Sequence, residues 1–343
     1  MGKRQLGLAA IGGVLASLTF LFAACGSTDD EATGEPSAGE LHVVGYSGLD
    51  SAYEDALEPA FEKSFAGEGV SFGNSFGPSD EQSRAVAEGA PASVVHFEQA
   101  GEMERLVEEG VVDANWDEQL YGGIAHDTAI VFIVRKGNPK QIHNVRDILD
   151  RDVDVVTPNP FSSDAGRWNL MDVYATLIHE RKTEAEALAG VKAVLEKAVA
   201  QPDSAAEAFA AFLRGQGDVL LAYESEAIQA VEAGKGERFQ FLVPHQTMLV
   251  ETPIAVTNDA PEPAAREFLK FLWSEAGQIL WAKEGYRPVE STLVNQERFF
   301  PRSTFKIARF GGWGKVNDEF FGEETGSVTR IERELGIPTG SPR

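Results

Sequence analysis

Apolar and polar positions along the chain switch repeatedly between two periods. Leu41-His42-Val43-Val44-Gly45-Tyr46 is a short β-type run, and Ser51 to Phe65 then carries Tyr53, Leu57, Phe61 and Phe65 near helical spacing. The order recurs: Ser93 to Phe97 precedes a helix from Glu98 to Glu109, Ala129 to Arg135 a short helix from Val145 to Leu149, and Val153 to Thr157 a long helix after Ser163. Asp218 to Ala222 leads into a helix through Ile228 and Val231. Phe239 to Val243 and Thr252 to Val256 read as strands, and Pro261 to Lys283 as helical with a break near Ala276-Gly277. Such repeated units predict an α/β fold, a mainly parallel sheet with helices on both faces. No internal repeat or heptad array interrupts them.

The first forty residues follow another pattern. Lys3 and Arg4 precede an apolar run from Leu6 to Ala24, two small residues close it, and Cys25 follows. Residues 1–24 therefore read as a secretory signal peptide; a retained anchor helix is the other reading of that length. Phe22-Ala23-Ala24-Cys25 also resembles a bacterial lipobox, which would make Cys25 the lipidated first residue of the mature protein. Ser, Thr, Gly, Pro and acids fill the rest of 25–40, a composition that cannot bury a core and suits a flexible tether. The expectation is an extracytoplasmic domain held to the cell membrane by lipid.

Cys25 is the only cysteine, so neither a disulfide nor a thiolate metal site is available to that domain. Its charge narrows the partners. With 54 acidic against 30 basic residues the formal charge is −24, and loss of Lys3 and Arg4 takes it to −26. Nucleic acid, which is held by clustered Lys and Arg, is excluded as a partner. Long-range attraction of an anion is also absent, so an anion site would have to be built locally from dipoles.

Catalytic signatures are missing. The chain has no G-x-x-x-x-G-K-[ST], no G-x-G-x-x-G after a strand, no G-x-S-x-G and no H-E-x-x-H. Its six histidines, at 42, 96, 126, 143, 179 and 245, show no ligand pair on one helix and read as surface or packing residues. No metal or cofactor is expected. A triad assembled from distant residues stays open as an enzyme reading.

The stretch from Val131 to Asn169 carries the most information. Ile130-Val131-Phe132-Ile133-Val134-Arg135-Lys136-Gly137-Asn138-Pro139-Lys140-Gln141-Ile142-His143 resembles the signature of periplasmic sulfate-binding proteins, the receptors of sulfate and thiosulfate ABC importers. The resemblance continues at Thr157-Pro158-Asn159-Pro160, Arg167-Trp168-Asn169, Gly217-Asp218-Val219-Leu220, Tyr286-Arg287-Pro288 and Phe310-Gly311-Gly312-Trp313, in the family's order. It implies a type II periplasmic binding protein, a monomer of two lobes crossed twice by the chain and closing on one ligand. The crossings are expected near Thr128 to Val134 and Glu251 to Val256. Lobe one would then hold residues 41–129 and 256–343, and lobe two residues 130–255.

The family holds sulfate through backbone N–H groups at helix starts, Ser hydroxyls and an indole N–H. Carried over, Ser79 in Ser75-Phe76-Gly77-Pro78-Ser79 is a ligand donor, or a helix cap, or both. Ser163 matches the hydroxyl ligand, but Asp164 and Ala165 replace two glycines. Facing inward, Asp164 would oppose a dianion by roughly 8 kcal/mol at about 4 Å and an effective dielectric near 20, the whole binding energy of a micromolar ligand. Facing outward it would only favour its helix start. Tyr223 stands where the family has Trp, so a phenol replaces the indole. Ser204 is the nearest equivalent of a missing Ser-rich segment, and Ser47 follows the first strand where open α/β sheets place ligands. Arg167 and Arg287 read as structural ion pairs. Three functions follow: a sulfate or thiosulfate receptor serving an ABC permease, the same scaffold with a less charged or organic ligand, and an extracytoplasmic enzyme.

Overall fold

The computed structural model describes residues 39–261, 263–293 and 301–339; the signal run, Cys25 and most of the tether lie outside them. Its strands are β1 (Glu40–Tyr46), β2 (Ser71–Gly77), β3 (Val94–His96), β4 (Ile124–Arg135), β5 (Val155–Val156), β6 (Ala198–Ala200), β7 (Val219–Tyr223), β8 (Phe239–Leu242), β9 (Gln246–Val256) and β10 (Ser303–Phe305). They follow the order β2-β1-β3-β9-β4-β7-β5-β6, with β8 beside β4 and β10 beside β9.

Two long antiparallel strands join two half-sheets. The first part of β4 pairs with Leu249–Pro253 of β9, its second part pairs with β7 and β8, and the end of β9 pairs with β3. Pro253 has no N–H to donate. It sits opposite Ile124, beside a register shift, where a strand tolerates proline.

Strand alternation assigns the cores. Val43 and Val94 face one cluster and Val44 and Val95 another, so both faces of the first half-sheet are covered. In the second, Ile130, Phe132 and Val134 point to one core and Val131 and Ile133 to the other. The signature strand is apolar throughout because it is buried on both sides.

Three sequence expectations change. The helix expected through Phe65 ends at Glu62, and Phe65 is 96% exposed. The turn is made by Gly67, where a Cβ would lie 2.0 Å from the Phe61 carbonyl oxygen. Second, the break expected near Ala276-Gly277 falls at Ser274, whose hydroxyl caps the Glu275–Lys283 helix by accepting from the Gly277 N–H. Third, residues 256–343 do not stay together. Phe268, Leu272 and Trp281 pack on the first half, whereas Phe305, Trp313, Val316, Phe320 and Val328 join the core of the second. These large apolar residues close the face of the Asp164–His179 helix, with Trp313 edge-on to Trp168 at 4.6 Å.

Candidate functional site

The carboxyl ends of six strands deliver residues to one cavity. Ser47 and Gly48 follow β1, Pro78 and Ser79 follow β2, and Glu98 follows β3; from the second half come Ser162–Asp164 after β5, Asp203–Ala206 after β6, and Tyr223 with Ser225 and Glu226 at the end of β7. β1, β2 and β3 run parallel in the first half, as do β5, β6 and β7 in the second, so within each half their ends point the same way. The cavity holds about 160 Å³, less than the roughly 300–1,000 Å³ of drug-sized ligand clefts. A larger depression of about 690 Å³ lies at His143 to Val145 and Phe241 to Gln246; the helix start on its rim is already capped by the Asn144 side chain.

Helices Ser79–Ala87, Asp164–His179 and Ala205–Leu213 all begin at the cavity wall, with the shorter Glu224–Ala230 beside them. First-turn N–H groups have no partner inside their helix and carry the positive end of its dipole. Gly166 lets one of these helices approach: a Cβ there would lie 2.6 Å from the Pro158 carbonyl oxygen. The T-P-N-P-F loop thus fixes where the Asp164 helix starts.

Six of the seven residues singled out from the sequence line the cavity: Ser47, Ser79, Ser163, Asp164, Ser204 and Tyr223. Ala165 does not. Its side chain packs into the core of the second half, which leaves only its first-turn N–H as a donor. Ser79 is the first helical residue and not the cap; its hydroxyl donates to Glu102 Oε2 at 2.9 Å and accepts from the Glu98 N–H at 3.0 Å. Ser204 caps its helix by accepting from the Glu207 N–H. The Tyr223 hydroxyl donates to Glu98 Oε1 at 2.7 Å, crossing from one half to the other.

Asp164 faces inward. Its side chain is 6% exposed, with Oδ1 accepting from Gln99 Nε2 at 2.5 Å and lying 3.7 Å from the Arg167 guanidinium. Arg167 also donates to the Pro160 carbonyl and to Asn317 Oδ1, and Asn317 in turn donates to Gln99. Arg287 makes a two-pronged pair with Glu224, both buried. Both arginines are therefore in ion pairs, as the sequence suggested.

Sequence reasoning missed the acids around Asp164. Glu98 had been placed inside a helix, yet the helix starts at Ala100 with Gln99 as cap, so Glu98 is left in the cavity wall. The legible signal was the capping box formed by Gln99 and Glu102 directly after a strand. Burial pushes Glu98 well above the usual carboxylate range, and the charges of Asp164 and Glu226 add to this. Burial does the same to Glu102, and the neighbouring Asp164 carboxylate adds to it. Burial raises Glu226 to about 7.

Behind Tyr46 the wall is packed by two buried histidines. His96 contacts the Tyr53 hydroxyl at 2.9 Å and Thr252 Oγ1 at 3.1 Å, and His126 lies against Trp281 and Tyr286. Burial lowers His96 to about 3. Both are packing residues, and the described residues contain no cluster of His, Cys, Asp and Glu able to hold a metal ion.

Two half-sheets joined by a pair of long strands, with a cavity at the strand ends, define a type II periplasmic binding protein. The chain belongs to the bacterial extracellular solute-binding proteins, whose family profile matches residues 41–287, and within them to the sulfate-binding proteins. It is 36% identical to the sulfate-binding protein of Salmonella typhimurium over 257 residues, 71% of this chain and 78% of that one. It is 32% identical to the thiosulfate-binding protein of Pseudomonas aeruginosa, over 71% of this chain and 77% of that protein. The solved structure of the sulfate-binding protein SubI from Mycobacterium tuberculosis superposes with a TM-score of 0.76 at 36% identity, covering 82% of this chain and 99% of that one. A periplasmic thiamin binding protein, 18% identical with a TM-score of 0.62 over 81% of this chain and 95% of its own, shares the fold.

Proposed function

We propose that this protein is the solute receptor of an ABC importer and takes sulfate or thiosulfate in the cavity at the six strand ends. The observation that carries this is the convergence of helix starts on a small cavity, in a chain whose relatives are named for these two anions. The donors are the first-turn N–H groups at Ser79, Asp164 and Ala165 and the hydroxyls of Ser47, Ser163 and Ser204. The two half-sheets act as lobes that close about the β4–β9 ladder, and a lipid on Cys25 holds the monomer at the extracytoplasmic face of the cell membrane. The protein delivers its ligand to a permease and performs no chemistry on it. Isothermal titration with sulfate, thiosulfate, molybdate and phosphate tests the reading; saturable heat with either sulfur oxyanion is expected, and silence toward all of them would sink it.

A second reading rests on Asp164. An inward carboxylate with Glu98 beside it favours a less charged ligand on the same scaffold. A small neutral or protonated solute that binds when sulfate does not would select this reading.

A further inference from the structure

The receptor reading gives no role to the Glu98 carboxyl in the cavity wall. Glu98 is 8% exposed, and its Oε1 is held by the Tyr223 hydroxyl at 2.7 Å. Its backbone is fixed as well: the N–H donates to Ser79 Oγ, and the carbonyl accepts from the Trp168 indole at 3.2 Å. No hydrogen bond reaches Oε2 from the described residues, and the side chain lines the cavity.

The groups around it are unbalanced. Glu102 lies behind Ser79, Asp164 and Arg167 come from the helix after β5, and Tyr223 and Glu226 come from the β7 end, with Tyr46 across the cavity. On the Ser79 helix, Asp80 is paired with Arg84 at 2.8 Å and Glu81 adds a further acid, while Asp203 adds another on the opposite wall. Arg167 and Arg84 are the cations in the cavity lining among the described residues, and they are engaged by Asp164 and Asp80. A dianion placed against an ionised Glu98 would meet a like charge in a poorly hydrated space, where water screens the repulsion weakly.

We propose that Glu98 sets the protonation state of the bound complex: its free carboxyl oxygen meets the oxyanion, and one proton is held between them. This inference rests on the receptor reading and deepens it. The proton has two sources. A fully ionised tetrahedral anion such as sulfate brings none, so the protein must supply it from the Glu98 carboxyl, replenished from water. An oxyanion that keeps a proton of its own near neutrality, as hydrogen phosphate does, supplies it directly. Burial, which holds Glu98 well above the usual carboxylate range, favours the first route. Tyr223 is a positioning residue here, orienting the carboxyl by its hydrogen bond to Oε1.

Titration calorimetry on the purified protein with sulfate and with inorganic phosphate, from mildly acidic to mildly alkaline pH, tests this. Repeating each titration in buffers of different ionisation enthalpy counts the protons taken up. Sulfate affinity is expected to fall by up to about tenfold per pH unit once Glu98 ionises in the free protein, with uptake approaching about one proton per anion. Phosphate above its own second ionisation should show a flatter profile. Glu98→Gln should remove the sulfate slope, and the proton count on the unaltered protein needs no variant to fold. Sulfate binding that is independent of pH and takes up no proton would overturn the inference and leave the receptor reading standing. A Glu98→Gln variant that keeps the slope would do the same, whereas no binding of either anion at any pH would overturn both.

Discussion

Two groups of buried charges flank the cavity, and they differ in balance. Arg287 and Glu224 pair one to one, with contacts of 2.6 and 3.0 Å and side chains 5% and 2% exposed. Glu98, Glu102 and Asp164 are three acids with one guanidinium, 3.7 Å from the last of them. A balanced buried pair satisfies itself and holds two elements together whatever the cavity contains. An unbalanced cluster keeps polar capacity that only protons or a ligand can satisfy. The first pair thus holds elements together, and the second group carries the unbalanced charge in and behind the cavity wall.

The sharpest way to break that contrast is to cut the balanced pair. Arg287→Ala leaves Glu224 buried without its partner and should cost about 3–5 kcal/mol, read from urea unfolding at neutral pH. Replacing both residues together, Arg287→Met with Glu224→Leu, should recover most of that loss. A small effect from the single change would mean that Glu224, like the cavity acids, is satisfied without a cation.

The cavity cluster should respond in affinity more than in stability. Asp164→Asn keeps the shape, so Gln99 can still donate to the amide oxygen, and removes the charge. Sulfate binding should tighten roughly tenfold, about 1.4 kcal/mol. That is a fraction of the roughly 4 kcal/mol per charge pair at about 4 Å and an effective dielectric near 20, because Arg167 and Glu102 already share the charge. Titration calorimetry measures it, and an unchanged affinity would show that the anion does not feel this carboxylate.

Smallest is the effect of pH on folding, where the two kinds of buried group oppose each other. His96 drops from 6.5 to about 3 on burial, so its contribution is complete above 6.5 and is lost as pH falls through about 3. Glu226 and Glu58 rise from 4.5 to about 7 on burial, so theirs is complete below 4.5 and is lost as pH rises through about 7. The two windows overlap and the carboxyls outnumber the histidine, so the thermal midpoint should peak near pH 4.5, where the carboxyl contribution is still complete, and decline by a few degrees on either side, as a calorimetric scan across pH would read. A midpoint still rising well above neutrality would contradict the raised carboxyls.

The block at residues 130–143 that resembles the family signature contributes no residue to the cavity lining. Arg135 fastens the end of β4 by donating to the carbonyls of Phe212, Gln216 and Gly217, and its guanidinium lies 3.9 Å from the centre of the Phe212 ring. Asn138 clamps the following turn by accepting from the Ile142 N–H and donating to its carbonyl. These are local jobs, and local jobs leave local patterns. Ser71–Gly77 was illegible for the opposite reason: S-F-G-N-S-F-G is an edge strand with an exposed face, so it lacks the apolar run that marks a covered one.

By itself the sequence determined most of the order of strands and helices, the family, and six residues that line the cavity. Each of those follows from residues within a few positions of one another, where periodicity and capping act. Only the tertiary structure decided that Asp164 turns inward, that the segment from Ser303 packs on the second half, and that Tyr223 meets Glu98. Tyr223 and Glu98 stand 125 positions apart, and Gln99 and Asp164 stand 65 apart. Their charges and protons interact through distances of a few ångströms, and no spacing along the chain encodes those distances until two half-sheets have met.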